Sequence, residues 1–287
     1  MVKNFGIVQY ACKLGQDEKG VENTPDILSN ILLPYIKENE YTVHLYNSAI
    51  IRKLDDCSAS GNENAIFTAN LQLRSMVKKS LDENNKTLII GGDHTMGLGT
   101  VSGFLEKYPQ QSFVIWIDAH PDLNTRQSSE SGHYHGMSMS FMLGLDADKN
   151  FPVNQKLRFD QLLYIGLRDV DDFEKKVLKE NKVKCLYGSI RDKDINEILS
   201  KTVGKGKNVH ISWDVDSIDP SAIPSTGTPV ERGMDCSEVI DIIRAVSKEN
   251  RLVSMDVTEL NLDLGLEDDQ KKSLKNSIDV VKHYITC

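Results

Sequence analysis

Short apolar, β-branched runs recur along the chain, separated by longer stretches in which apolar residues return at helical spacing among charged ones. The runs predict strands over 4–9, 41–46, 87–91, 112–118, 162–166, 183–187, 207–213 and 251–256. Thr87-Leu88-Ile89-Ile90 and Phe113-Val114-Ile115-Trp116-Ile117 have no polar face, which suits strands covered on both sides in a parallel sheet. The intervening segments predict helices near 25–38, 62–84, 96–107, 137–143, 171–180, 192–200, 236–248 and 268–285. Thr24-Pro25 reads as an N-cap followed by an N1 proline, and Ser237-Glu238 as the opening of another helix. Strand–helix alternation of this kind implies an α/β fold: a mostly parallel eight-stranded sheet with helices on both faces. No repeat, low-complexity tract or linker interrupts it, and Gly204-Lys205-Gly206-Lys207 reads as a surface turn, so residues 1–287 are expected to form a single domain.

Composition narrows the function. Among 287 residues, 39% are hydrophobic and 26% charged, enough to bury a core and to exclude a disordered chain. The net charge of −8 argues against nucleic acid or an anionic membrane surface as partner. No apolar run approaches the roughly 18 residues that span a bilayer, and the first ten residues lack a secretory apolar segment. Five cysteines, Cys12, Cys57, Cys185, Cys236 and Cys287, show no Cys-x-x-Cys spacing. They are expected to be reduced thiols in a cytoplasmic protein, most of them packing residues.

In a parallel α/β sheet, ligands sit beyond the carboxyl ends of the strands. Three groups of metal-capable side chains fall there: Gly91-Gly92-Asp93-His94, Asp118-Ala119-His120-Pro121-Asp122, and Asp214-Val215-Asp216. The first alone is an ordinary glycine turn. In the second, an extended backbone would send Asp118, His120 and Asp122 to one face, and the same alternation would pair Asp214 with Asp216. So many buried carboxylates need compensation, which divalent cations supply. Two imidazoles and four carboxylates, without thiolate, suit two hard-to-borderline ions such as Mn²⁺. Such a pair can hold a bridging hydroxide for metal-assisted hydrolysis.

On these motifs the sequence resembles the ureohydrolases and, within them, the arginases, from Gly20-Val21-Glu22 through Asn261. The resemblance implies one Mn²⁺ on His94, Asp118, Asp122 and Asp214 and a second on Asp118, His120, Asp214 and Asp216, with Asp118 and Asp214 bridging. It implies hydrolysis of L-arginine to L-ornithine and urea by the bridging hydroxide. His135 would be the proton shuttle, Glu259 the guanidinium-binding carboxylate, and Asp122 would belong to the catalytic set. Asn124, Ser131 and the His133 position would face the substrate α-carboxylate. Asp171, helped by Glu174, would accept hydrogen bonds from the α-ammonium, and Thr228 would lie near the guanidinium. The family also implies a homo-oligomer, trimer or hexamer.

Plainer readings stand beside these. Asp171 and Glu174 open a charged helix, where acids favour the dipole without further role. His135 alone reads as a loop histidine, and His44, His210 and His283 as structural. Two departures from the arginase pattern are His133, where the family carries Asn, and the end of the sequence at Cys287, without the tail some animal arginases use in trimer contacts. The rivals are another ureohydrolase, acting on agmatine or a guanidino acid, and an inactive arginase-like binding protein. The first has no need of Asn124, Ser131 and Asp171; the second is disfavoured because every ligand position is filled.

Overall fold

The computed structural model describes residues 3–287. Met1 and Val2, the start of the segment read for a secretory signal, lie outside the described residues. The eight expected strands appear as β1 (Lys3–Tyr10), β2 (Tyr41–Tyr46), β3 (Lys86–Gly91), β4 (Ser112–Ile117), β5 (Leu162–Leu167), β6 (Lys184–Tyr187), β7 (Asn208–Asp214) and β8 (Arg251–Thr258). They form one sheet in the order β2-β1-β3-β8-β7-β4-β5-β6, every pairing parallel.

The helices are α1 (Thr24–Glu38), α2 (Ala49–Cys57), α3 (Glu63–Glu83), α4 (Met96–Lys107), α5 (Ser138–Leu143), α6 (Asp172–Glu180), α7 (Ile195–Thr202), α8 (Cys236–Glu249) and α9 (Glu267–Thr286). Helices α1, α7, α8 and α9 pack on one face of the sheet, and α2 to α6 on the other. Strand β4 is buried along its whole length because it has helices on both sides, as its unbroken apolar run requires. Among the described residues no helix is long and apolar enough to cross a membrane.

Three local expectations are corrected. Helix α2 was not anticipated; its cap is Ser48, whose hydroxyl accepts from Ile51 N, and it is short, with only Ile51 and Asp55 buried. Thr24 does not cap α1, since its hydroxyl donates across the fold to the Leu260 carbonyl. Helix α8 is capped by Asp235, with Glu238 accepting from Asp235 N at 2.7 Å in a capping box. Of the cysteines, Cys12 is buried and Cys185 and Cys236 pack partly into the core, whereas Cys57 and Cys287 are exposed.

The strand order positions the site. Chain progression reverses on either side of the central strands β3, β8, β7 and β4, leaving a crevice at their carboxyl ends. All four of those strands run into the candidate segments.

Candidate active site

Beyond β3 the chain turns through Gly92 and Asp93 into His94 and α4. A Cβ on Gly92 would overlap the Cys12 carbonyl, so glycine lets the exits of β1 and β3 lie against each other. Asp93 is an anchor. It accepts from Gly15 N at 2.7 Å and Thr95 N at 2.9 Å, and burial together with the Glu259 charge lifts its carboxyl to about 6.

Asp118 to Asp122 lie past the end of β4, and Asp122 has φ 51°, in the left-handed region. Convergence there comes from a turn, not from the extended alternation expected. Asp214 ends β7, and Asp216 lies in the single 3-10 turn Val215–Ser217, its N–H donating to Asp214 Oδ1 at 2.9 Å. The turns bring all six residues together. His94 Nδ1 lies 3.1 Å from Asp118 Oδ2, 3.1 Å from Asp122 Oδ2 and 3.1 Å from Asp214 Oδ2. His120 Nδ1 lies 3.0 Å from Asp216 Oδ2 and 3.5 Å from Asp118 Oδ1. Two ligand-capable groups result, His94–Asp118–Asp122 and Asp118–His120–Asp216, and Asp118 belongs to both. Asp214 faces His94.

Electrostatically, this cluster is costly without a cation. Burial, then the charges of Asp216 and Asp118, push Asp214 well above the usual carboxylate range. Burial and the Asp118 charge raise Asp122 to about 6. Burial also opposes the ionised form of Asp118, but the adjacent His120 and His94 imidazoles outweigh it and hold Asp118 low. The fit to cations rests on orphaned atoms. His94 Nδ1 and Asp122 Oδ2 are buried without a hydrogen-bond partner although three carboxylates crowd the imidazole. Hard oxygen and imidazole donors aimed at one another but not bonded are what a divalent ion needs. Trp116 braces the group, stacking on His94 with centroids 4.1 Å apart and donating to Asp118 Oδ2 at 3.0 Å.

A cavity of about 240 Å³ opens above these residues, room for a small molecule and not for a polymer. His135, Asn124, Ser131, His133, Asp171, Glu174 and Thr228 line it with the ligand-capable set except Asp118. Glu259 is 3% exposed and sits beneath His135. Its Oε1 accepts from His94 N at 2.7 Å and lies 3.1 Å from His135 Nδ1. Burial would lower the His135 imidazole, but Glu259, with Asp122 and Asp93 behind it, raises it to about 9. Thr228 donates to Asp216 Oδ2 at 2.9 Å.

Several side chains are already committed. Glu174 accepts from Leu123 N at 2.9 Å and Asp171 N at 3.0 Å, closing the capping box of α6, and burial raises its carboxyl to about 7. Asn124 donates to Asp171 Oδ2 at 2.7 Å and accepts from the Ser128 hydroxyl at 2.9 Å. Ser131 accepts from His133 N at 3.2 Å, and His133 Nε2 lies 3.2 Å from Asp17 Oδ2. His44 and His283 are structural as expected, bonded to Asn84 and to the Asp279 carbonyl. His210 has a constellation after all, described below.

Residues 3–281 match a family model described as Arginase family. The chain belongs to the arginase family. An arginase of Glaciozyma antarctica is 38% identical over 213 residues, a match spanning 70% of this chain and 60% of that protein. An arginase of Neurospora crassa is 33% identical over 289 residues, covering 93% of this chain and 81% of the relative. Among solved structures, an Entamoeba histolytica arginase in complex with L-ornithine superposes with a TM-score of 0.88 at 25% identity, covering 100% of this chain and 99% of the other. The doubly covered parallel sheet is thus an arginase fold.

Proposed function

We propose that this chain is an arginase, L-arginine + water → L-ornithine + urea, carried by one domain spanning the sequence. The observation that carries the reading is the pair of ligand groups sharing Asp118, buried except for the partly exposed His120, with His94 Nδ1 and Asp122 Oδ2 unpartnered. Family membership and the small cavity above the cluster support it. We assign two Mn²⁺ to the site, held by His94, Asp118, Asp122 and Asp214 and by Asp118, His120, Asp214 and Asp216. When bound, the ions neutralise the carboxylates and acidify a water molecule enough to make it a nucleophile at the guanidinium carbon.

The chain's own groups do the rest. Glu259, held by His94 N and His135, supplies the negative charge that attracts and orients the planar guanidinium. With Nδ1 tied to Glu259, His135 exchanges protons through Nε2. Lifted to about 9, it carries a proton near neutral pH and donates it to the departing amine of ornithine. Thr228 steadies Asp216 and so the rim of the cavity beside the guanidinium. The hydrogen-bonded Asn124–Asp171 pair offers the α-carboxylate and α-ammonium a donor and an acceptor side by side, with Ser131 and His133 completing the mouth. Glu174, with a backbone N–H on each oxygen, supports Asp171 at the cavity wall.

The test is urea release from L-arginine and from agmatine, each with Mn²⁺ and after chelation. Release from arginine alone, dependent on the metal, is expected. Equal or faster release from agmatine would overturn the substrate assignment.

A further inference from the structure

On the two central strands the polar positions fall in register: His210 opposite Ser254, Ser212 opposite Asp256 and Asp214 opposite Thr258. Alternation along a strand sends these rungs to one face, toward α4. His210, Ser212, Ser254 and Asp256 are 0% exposed, so their polar atoms must find partners inside the protein. Asp256 Oδ2 accepts from the Thr100 hydroxyl of α4 at 2.8 Å and the Ser212 hydroxyl at 3.2 Å, and lies 3.2 Å from His210 Nε2. His210 Nδ1 is in turn 2.9 Å from the Ser254 hydroxyl. This is an ionisable group buried in the sheet at a position where an apolar residue would pack more cheaply.

Its direction indicates its use. The Ser212 hydroxyl has one proton, and it is committed to Asp256. The His94 Nε2 atom lies 3.0 Å from the same hydroxyl oxygen. That oxygen can only accept, so in the neutral, metal-binding form of His94 the ring proton sits on Nε2. Nδ1 is then the lone-pair atom, and it is the atom left without a partner among Asp118, Asp122 and Asp214. Thr100, on the helix that His94 leads into, ties the same carboxylate to α4.

We infer that Asp256, acting through Ser212, is the positioning residue that fixes the tautomer and ring orientation of His94 for binding a divalent cation. The inference rests on the proposed role of His94 as a ligand. A partner of this kind behind a ligating imidazole typically carries a 10- to 100-fold share of metal affinity.

The test is calorimetric titration of chelator-stripped, full-length protein with MnCl₂ alone. His94→Asn and His120→Asn identify which binding step belongs to which imidazole. Ser212→Ala is expected to weaken the His94 step about tenfold or more while moving the His120 step much less. Asp256→Asn keeps the shape and gives up the charge, and is expected to weaken the same step to a smaller degree; it carries the test if Ser212→Ala does not fold. A merely structural role would lower the melting temperature of stripped and loaded protein alike and leave the two steps in their wild-type ratio. That ratio unchanged in both variants, or both steps weakened equally, overturns the inference. If the wild-type chain itself takes up no Mn²⁺, it is the metal reading that fails.

Discussion

Glu259 combines a left-handed backbone, φ 60°, with a buried carboxylate, two costs that a residue of no function would not retain. Its N–H is held by the Gly92 carbonyl at 3.0 Å, and the turn aims the side chain back under His94 and His135. Glu259→Gln keeps an oxygen for His94 N but loses the charge that the guanidinium and His135 meet. Transition-state stabilisation should fall by about 3 kcal/mol or more, a hundredfold or greater loss in kcat/KM for arginine, with manganese content unchanged. Activity within tenfold of wild type, measured beside elemental analysis, would remove Glu259 from the site. His133 tests recognition separately from chemistry. Its ring lies edge-on to His135 with centroids 5.7 Å apart, yet its own partner is the exposed Asp17. His133→Ala should raise KM for arginine more than about threefold and spare kcat, whereas His135→Ala should lower kcat about a hundredfold. Steady-state kinetics on the two variants separates the roles, and an unchanged KM in His133→Ala would reduce that residue to a loop contact.

At the scale of elements, the loop carrying Asn124 and Ser131 hangs on Arg126. Its guanidinium pairs with Asp146 at 2.7 Å and Asp148 at 3.0 Å, and reaches Glu63 at the start of α3. Burial raises Asp146, but the Arg126 hydrogen bonds outweigh it, and Asp148 is held low by the Asn150 N–H and Arg126. Both carboxyls therefore lie lower folded than unfolded. Their contribution is complete above the ordinary carboxylate range near pH 4 and is lost as the pH falls through their lowered values. Arg126→Ala should cost roughly 1–2 kcal/mol at pH 7, and the difference from wild type should shrink below about pH 3.5. Urea unfolding of both proteins across that range checks it; a difference that stays constant into acid would mean that Arg126 acts by packing on Phe141 instead. The elements themselves were largely legible, because each strand run is short, apolar and bounded. Helix α2 was not legible, since it buries so little and touches the core mainly through Ile51.

For the whole molecule, the proposed metal site would couple to stability. Asp122 and Asp214 are raised above their unfolded values, so in the stripped protein they favour the fold at low pH and lose that contribution as pH rises through their raised values, about 6 for Asp122. Mn²⁺ should reverse this, because binding needs ionised carboxylates and releases their protons. The rise in melting temperature on adding Mn²⁺ should be larger at pH 8 than at pH 5. A calorimetric scan at both values decides it, and an equal or smaller rise at pH 8 would contradict the site. Within the cluster, Asp118 contacts both imidazoles whereas Asp216 contacts one, so Asp118→Ala should retain less metal after dialysis than Asp216→Ala.

What the sequence determined by itself was whatever is local. Strand and helix runs were legible from hydrophobic period, and the ligand-type residues were recognisable because carboxylates and imidazoles clustered just past apolar strands. The roles proposed for Asn124, Asp171 and Glu259 come only from family likeness, as nothing in their neighbourhood distinguishes them from cap or turn residues. Tertiary structure decided the rest. Glu174 caps α6 with a backbone N–H on each oxygen, one of them from Leu123 in a loop 51 residues away in sequence. Asp118, His120 and Asp122 converge across a bend that leads to a left-handed Asp122, which no alternation rule foresees. His210 and Asp256, ordinary alternating polar residues on separate strands, became one buried network only when β7 and β8 paired in register. Register between strands 40 residues apart is set by packing on both faces of the sheet, and that information is spread over the whole chain.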